Sequence, residues 1–340
     1  MTAIAFVGPA LAVHEGWVTT QGEVLAGLFA DEGVRTFVSS TSLSPIRRAA
    51  DHARDLVRWR NEADAAVVSV FSGRCFDLAD EALTVARALG VPTIAWLHGG
   101  NLPEFGARHR RWVIRVLGLA DAVVAPSAYL ARWARSLGLE VSAIPNVLDL
   151  DAYTFREREP LRPKILWMRT FQELYDPATA VLAIAELRRR GMDATLTMAG
   201  QDKGLQATTE RLVLDRGLGG VVEFPGFVAG AAKRRLLDDH DIFLNTNLVD
   251  NAPVTVLEAA ASGLVVVSSA VGGVSDLLAG GESARLVPAG RPLEFAAAVT
   301  EVVADPAEAG RLANGARHVA EQSAWPHVRE RWFGVIGALR

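Results

Sequence analysis

The sequence predicts an α/β protein built from two doubly wound parallel sheets. Apolar strand patterns and amphipathic helix patterns alternate along the chain, which is the order that parallel sheets with covering helices require. The strands are short runs rich in branched residues, as expected where both faces of a sheet are buried. A chain of 340 residues exceeds one ordinary core and suits two domains of about 150 to 180 residues each.

The first domain is predicted over residues 1–156. A polar stretch containing two prolines, 157–163, is interpreted as the linker. The alternation then restarts, which predicts a second domain over 163–324, and a last helix over 325–340 has an apolar side formed by Trp332, Phe333 and Ile336. In the first domain the expected strands are 4–7, 35–38, 65–70, 93–97, 122–125 and 141–144, and the expected helices lie near 21–30, 45–60, 78–89, 110–119 and 129–137.

Residues 241–273 form the most informative part of the second domain. A predicted helix over 254–261 connects two buried strands. Asn251 is its expected capping residue, Pro253 stands where a missing N–H does no harm, and Gly263 ends the helix. The two strands are 242–244 and 264–267.

Two carboxylates lie in this part of the chain, Asp250 just before the helix and Glu258 eight positions later. Free N–H groups and the positive end of the helix dipole lie beside Asp250, so an anion or a polyhydroxylated ligand would find donors there. Glu258 is flanked by apolar residues, and its burial is unfavourable unless donors such as sugar or ribose hydroxyls satisfy it. The alternative, that Glu258 faces solvent on an amphipathic helix, stays open at this stage.

This spacing resembles the signature of family 4 retaining glycosyltransferases: an acidic residue, seven residues, a glutamate, small residues, Gly263, an apolar strand and Gly272-Gly273. The resemblance implies the GT-B fold, in which two Rossmann-like domains face each other across a cleft and the C-terminal helix returns to the first domain. It also implies that Glu258 binds the ribose of the nucleotide and that Asp250 contacts the donor sugar. The family usually has glutamate in place of Asp250, so this side chain is one methylene shorter.

The helix start and the glycine pair complete the expected donor site. Backbone N–H groups at a helix start can hold phosphate oxygens, and glycines let the backbone approach a phosphate or sugar without a Cβ clash. Gly226 resembles the turn glycine that lies beside the nucleotide base in the family, and a bare turn glycine is the alternative. The residues of the helix start are Asn251, Ala252, Pro253 and Val254, and the glycine pair is Gly272 and Gly273.

Arg169 follows the first strand of the second domain, where a guanidinium can hold diphosphate oxygens bidentately, as the matching arginine of the family does. The family usually adds a lysine shortly afterwards, but this chain has Tyr175-Asp176-Pro177, so one cation is missing. Lys203, after the next strand, is the nearest candidate replacement. An exposed turn lysine is the alternative.

Strand ends in the first domain supply the remaining candidates. His98 follows the strand 93–97, and the resemblance makes it the histidine that contacts the donor sugar near the reaction centre. A purely structural histidine is the alternative, and each glycine below has a plain strand-to-helix turn as its alternative. The expected acceptor-side residues are Gly16, Gly22, Gly99 and Asn101.

Composition limits the partners. A net charge of -4 and a pI near 6.0 argue against a nucleic-acid binder. Cys75 is the only cysteine, which excludes an intrachain disulfide and a cysteine-based metal site. No leader segment and no apolar run of membrane-spanning length is recognisable, so we expect a cytoplasmic protein. Arg108 to Arg115, predicted to lie on one helix, would suit peripheral contact with an anionic membrane, and a solvated arginine-rich face is the alternative.

The resemblance therefore implies a glycosyltransferase that moves a sugar from a nucleotide-diphosphate sugar to a glycan, lipid-linked or small-molecule acceptor with retention of configuration. The second domain would bind the donor. No metal or other cofactor is expected, because the only metal-like motif, Asp149-Leu150-Asp151, falls near the linker and outside any nucleotide-binding sheet. The alternatives are a GT-B sugar-nucleotide epimerase, a phosphorylase-like enzyme and a non-catalytic nucleotide-sugar-binding subunit.

Overall fold

The computed structural model describes residues 2–339, and the chain divides into two compact units. Unit 1 contains the residues up to Val147 and those from Trp325 onward, and unit 2 contains Leu148–Ala324. Each unit has one six-stranded sheet whose paired strands are all parallel. The prediction of two Rossmann-like α/β units is therefore confirmed.

Unit 1 has the strand order β2-β1-β3-β4-β5-β6. The core of unit 1 consists of two apolar clusters, one on each side of the sheet. The C-terminal helix covers one of these clusters, and there Trp332 packs edge-on against Trp96 with 5.1 Å between the ring centroids. The strands are β1 (Ala3–Val7), β2 (Arg35–Ser39), β3 (Ala65–Val70), β4 (Thr93–Leu97), β5 (Ala122–Ala125) and β6 (Val141–Ala143). The helices are α1 (Gln21–Asp31), α2 (Pro45–Trp59), α3 (Phe76–Leu89), α4 (Leu102–Arg108), α5 (Arg110–Leu117), α6 (Ala128–Ser136) and, at the C-terminus, α14 (Trp325–Gly337).

Unit 2 repeats this plan with the strand order β12-β11-β10-β7-β8-β9. On one side of β7 the neighbouring strands are β8 and then β9, and on its other side they are β10, β11 and β12. The direction in which successive strands are added therefore reverses between β7 and β10. Ligands of doubly wound sheets bind beyond the carboxyl ends of the strands at such a reversal. The strands are β7 (Lys164–Met168), β8 (Thr195–Ala199), β9 (Val222–Gly226), β10 (Ile242–Asn245), β11 (Val265–Ser269) and β12 (Arg285–Val287), and the helices are α7 (Pro177–Arg189), α8 (Gln206–Asp215), α9 (Gly230–Asp239), α10 (Val254–Ala261), α11 (Val274–Leu277), α12 (Pro292–Ala304) and α13 (Pro306–Glu321).

The boundary between the units lies earlier than the sequence suggested. Residues 148–156, expected in the first domain, belong to unit 2, and the expected linker over 157–163 is attached to the same unit. Arg158 explains this attachment, because its buried guanidinium donates to the carbonyl oxygens of His240 at 2.8 Å, Leu237 at 2.9 Å and Ser262 at 2.6 Å. Among residues 2–339, no helix combines the length and the apolar composition needed to cross a bilayer.

Candidate active site

Arg169 stands directly after β7, the strand at which the order of the unit 2 sheet reverses, and its guanidinium is held on several sides. One terminal nitrogen donates to Asp250, and the other donates to the Thr255 hydroxyl at 3.3 Å. The ring of Tyr175 covers the guanidinium face at 4.1 Å, which is a cation–π arrangement. The Nε atom is buried and has no protein partner. Arg169 is therefore a fixed cation that still has a donor to offer.

Gly200, the first residue after β8, lets the backbone at Arg169 lie where it does. A Cβ atom at Gly200 would fall 1.8 Å from the Arg169 carbonyl oxygen. Only glycine tolerates that approach without a backbone shift. The sequence shows this glycine after a strand, but a close approach to another strand end cannot be inferred from spacing.

Asp250 uses both carboxylate oxygens within the protein. One oxygen accepts from Arg169 and from the Asn247 amide, and the other accepts from the Asn251 backbone N–H at 2.7 Å. This position was expected to contact the donor sugar. In the structure the shorter aspartate turns toward Arg169 and fixes it, and a direct sugar contact stays a prediction.

Glu258 is buried, with 5% of the residue exposed, so the solvent-facing alternative is wrong. Its Oε1 atom accepts from the Tyr153 hydroxyl at 2.8 Å and pairs with the Lys233 ammonium at 2.5 Å. Its Oε2 atom is buried without a partner. Thr255 and Glu258 lie three residues apart on α10, on the same helix face, so Arg169 and Glu258 are linked through one side of this helix.

Buried polar atoms without partners collect at this edge of the sheet. Such atoms are uncommon in folded proteins, and each one needs either a ligand or water. Asn247 is fully buried, and its amide carbonyl oxygen is one of them. In unit 2 the atoms of this kind that lie at or after the ends of β7 and β10 or on α10 are Arg169 Nε, Thr170 Oγ1, Asn245 Oδ1, Asn247 Oδ1 and Glu258 Oε2.

The residues at the start of α10 differ from the prediction in one respect. Asn251 does not cap the helix, because Pro253 occupies the capping position and makes no side-chain capping bond. Asn251 is instead buried against the glycine pair: a Cβ atom at Gly273 would lie 2.3 Å from the Asn251 carbonyl oxygen. The Gly273 N–H also donates to the Asp250 carbonyl at 3.2 Å. Gly272-Gly273 therefore holds the loop that leads through Ala252 and Pro253 to Val254.

Lys203 and Gly226 lie on the strand ends that flank this arrangement. Lys203 is exposed on the turn after β8, as its alternative interpretation proposed, and its role toward a phosphate stays a prediction. Gly226 is the last residue of β9 and has a positive φ of 76°. Its carbonyl accepts from the Gly200 N–H at 2.9 Å, which connects it to the glycine that supports Arg169.

In unit 1, His98 follows β4 between two aromatic rings. It stacks on Phe71 at 4.9 Å and lies 4.3 Å from Trp96. Burial lowers the pKa of His98 to about 3, so the imidazole is neutral at physiological pH. Its Nε2 atom is buried without a protein partner. A neutral ring with a free nitrogen is suited to hydrogen bonding with a polar ligand.

The expected acceptor-side residues all lie in unit 1. Gly16 is in the loop between β1 and α1 with a positive φ of 81°. Gly22, expected before the first helix, lies inside its first turn. Gly99 follows His98, and Asn101 precedes α4 without making a side-chain capping bond. The role of these four residues toward an acceptor stays a prediction.

The basic segment Arg108 to Arg115 does not lie on one helix, which corrects the prediction. Arg108 ends α4, and α5 begins at Arg110. Arg108 pairs with Glu104, and Arg115 pairs with Asp80. Trp112 donates to the same Asp80 at 2.6 Å and packs against the unit 1 core. Arg108, Arg115 and Trp112 thus bind partners within unit 1, which weakens the hypothesis that this segment binds a lipid surface.

Several residues of the site were not identified from the sequence. Tyr153 and Lys233 reach Glu258 from 105 and 25 residues away along the chain, and no local pattern marks either of them. A cavity of about 630 Å³ lies elsewhere in unit 2, where its lining includes Leu161 and Val265, close to the amino ends of β7 and β11. It contains none of the candidate site residues.

Comparison with known proteins gives two family matches, one in each unit. Residues 22–152 match the model described as Glycosyltransferase Family 4, and residues 162–305 match the model described as Glycosyl transferases group 1. The chain is also 26% identical over 264 residues to the glycogen synthase of Mycobacterium tuberculosis. That match covers 71% of this chain and 61% of the relative. The chain thus spans less than two thirds of the length of this relative.

Solved structures share the fold at low sequence identity. The structure of Anabaena HepE in complex with UDP and glucose aligns with a TM-score of 0.78 and 15% identity, over 99% of this chain and 100% of that one. The sucrose-phosphate synthase of Thermosynechococcus elongatus aligns with a TM-score of 0.82 and 17% identity, over 100% and 99%. The two family matches indicate a glycosyltransferase of the family 4 type, and the solved structures share its GT-B fold.

Proposed function

We propose that this protein transfers a sugar from a nucleotide-diphosphate sugar to a glycan, lipid-linked or small-molecule acceptor, with retention of configuration and without a metal. Unit 2 binds the donor, and unit 1 supplies the acceptor side. The observation that carries the proposal is the paired Arg169 at the reversal point of the unit 2 sheet, surrounded by buried polar atoms that the protein leaves unpartnered.

The chemistry assigned to these residues is stabilisation of a departing nucleoside diphosphate. A fixed guanidinium and the N–H groups at the start of α10 would be aimed at the charge that develops on the leaving phosphate. Because their positions are set before reaction, little reorganisation is needed in the transition state. Retention would follow if the acceptor attacks the same face from which the diphosphate leaves and its proton passes to that diphosphate.

His98 would hydrogen-bond the donor sugar through its neutral ring, as the resemblance implies. Burial keeps its pKa near 3, so it would act as a hydrogen-bonding group and not as a cation. Peripheral contact with an anionic membrane through Arg108 to Arg115 would depend on the exposed Arg110 and Arg111, because Arg108 and Arg115 are already paired.

The proposal is tested by screening UDP-, ADP- and GDP-sugars for thermal stabilisation, and then measuring nucleoside diphosphate release with a panel of acceptors. A true donor raises the unfolding temperature by mass action. We expect transfer that survives exhaustive chelation and gives a product with the anomeric configuration of the donor. A sugar nucleotide converted without any acceptor would favour an epimerase instead, and an inverted product would overturn retention.

A further inference from the structure

The carboxylate of Glu258 is fixed through one oxygen only. Both of its protein donors, the Tyr153 hydroxyl at 2.8 Å and the Lys233 ammonium at 2.5 Å, meet Oε1. Oε2 is buried and has no partner. The side chain of Glu258 is 7% exposed, so Oε2 has little access to water. Because both donors hold Oε1, the carboxylate is fixed in one orientation and Oε2 is the oxygen that can accept a hydrogen bond from a ligand.

Tyr153 and Lys233 reach Glu258 from two different elements. Tyr153 follows a short 3₁₀ turn, Leu150–Ala152, and its ring packs in the apolar cluster beside Leu257. Burial, followed by the charge of Glu258, raises the pKa of Tyr153, so its hydroxyl stays protonated and donates. Lys233 lies on α9 and keeps a side chain that is 25% exposed.

The ion pair between Lys233 and Glu258 determines which kind of ligand group can lie against Oε2. The Lys233 ammonium forms an ion pair with this carboxylate, and a carboxylate in such a pair only accepts hydrogen bonds. A ligand group placed against Oε2 must therefore be a donor. An N–H or O–H group satisfies this oxygen, whereas a C–H group in the same place leaves a buried charged oxygen without a partner.

We propose that Tyr153 and Lys233 are positioning residues that make unit 2 selective for ribonucleotides, because they fix Glu258 so that Oε2 accepts a hydrogen bond from a ribose hydroxyl. This inference rests on the proposed function, since it takes the ligand of unit 2 to be a nucleoside diphosphate or its sugar. It adds two residues, from outside α10, that determine how the site distinguishes ribose from deoxyribose.

The test uses the full chain and whichever of UDP, ADP and GDP binds most tightly, together with its 2′-deoxy and 3′-deoxy forms. Affinities are measured by calorimetry for the unmodified protein, Tyr153→Phe and Lys233→Met. A hydrogen bond to a charged group corresponds to about 10- to 100-fold in affinity, so the unmodified protein should prefer the ribonucleotide over at least one deoxy form by about that factor. The preference should fall by about 3-fold or more in both variants.

The ratio of two affinities measured on one variant does not depend on how stably that variant folds. Tyr153→Phe also keeps the buried ring, so it reports on the hydroxyl even if Lys233→Met is poorly folded. Matched controls are Lys164→Met, at the amino end of β7, and Tyr129→Phe, in unit 1; both should keep the ribose preference.

Nucleotide binding with an unchanged ribose preference in Tyr153→Phe would overturn the inference and leave the proposed function standing. A chain that binds none of the three nucleoside diphosphates would overturn both. These two failures are distinguishable in the same set of measurements.

Discussion

Asp250 and Arg169 form a mostly buried ion pair, with 14% and 11% of their side chains exposed. Arg169 directly follows β7 and Asp250 lies on the loop between β10 and α10, and the two strands pair directly in the sheet. A buried charge needs a partner, so each residue determines where the other lies. The Asn251 N–H and the Thr255 hydroxyl complete the arrangement, which ties the cation to the start of α10.

Arg169→Met should reduce kcat/KM for sugar transfer by about 10²- to 10³-fold, the range seen when one group that stabilises a developing negative charge is removed. The physical reason is the loss of the only cation that is fixed at the reversal point of the unit 2 sheet in the described chain. Steady-state kinetics measure the effect. Arg211→Met, an exposed arginine of α8, is the matched control and should keep its activity, and a comparable loss there would contradict a specific role for Arg169.

Asp250→Asn should destabilise the protein as well as slow transfer. It leaves the Arg169 guanidinium largely buried with a neutral partner, and an incompletely satisfied buried charge lowers the free energy of unfolding by about 1–3 kcal/mol. Urea denaturation measures this change. An unchanged free energy of unfolding together with lost activity would instead indicate that Asp250 acts on the donor sugar directly, as the family resemblance implies.

Gly200→Ala should affect Arg169 from a different strand. The added methyl group would meet the Arg169 carbonyl oxygen at 1.8 Å, so the end of β7 must move. Overpacking of this kind lowers the free energy of unfolding by about 1–3 kcal/mol, and we expect transfer to weaken in parallel. Gly219→Ala provides the control, because nothing lies within 4 Å of its Cβ position. Equal losses in the two variants would show that any glycine substitution has this effect.

The strands of both sheets could be predicted from the sequence because the pattern that marks a buried strand is local. The strands over 65–70, 93–97 and 122–125 were predicted with the bounds that the structure has. Each is a short apolar run buried on two faces, and that pattern needs no information about partners. The helix over 254–261 was equally well predicted, because Pro253 and Gly263 mark its two ends.

The failures of prediction depend on contacts between distant residues. The attachment of residues 157–163 to unit 2 depends on the bonds that Arg158 makes with residues about 80 positions later, such as His240, and the composition of this stretch does not contain that information. The polar partners of Glu258 were missed for the same reason. Asn251 was predicted as a cap from its residue type, but the close approach to Gly273 determines its conformation instead.

His98 should make the stability of the protein depend on pH in a defined direction. Its pKa is lowered from 6.5 to about 3 by burial, so between these values the unfolded chain binds a proton that the folded chain does not. Stability therefore rises with pH across this window, and falls on acidification by at most about 1.4 kcal/mol per pH unit from this group. Above about pH 7.5 the contribution of His98 is nearly constant, because the histidine is then neutral in both states.

The measurement is urea denaturation of the unmodified protein and His98→Asn between pH 8 and pH 4.5. Asparagine does not titrate, so the difference in unfolding free energy between the two proteins should be constant at high pH and should shift against the unmodified protein as the pH falls. A difference that stays constant down to pH 4.5 would show that the folded protein protonates His98 as readily as the unfolded chain does.

The ring of Tyr175 lies 4.1 Å from the guanidinium carbon of Arg169, in the region where the family resemblance leads us to expect a second cation. Tyr175→Leu removes the cation–π contact, which is worth about 0.5–2 kcal/mol, and should weaken nucleoside diphosphate binding by about 2- to 30-fold through a less fixed Arg169. Tyr175→Phe keeps the ring and serves as the matched variant. If the ring acts by holding Arg169, Tyr175→Phe should bind the nucleoside diphosphate as tightly as the unmodified protein does. If Tyr175 instead offers its hydroxyl to the phosphates in place of the missing lysine, Tyr175→Phe and Tyr175→Leu should weaken binding equally. Calorimetry with the nucleoside diphosphate decides between these two roles, because only the first separates the two variants.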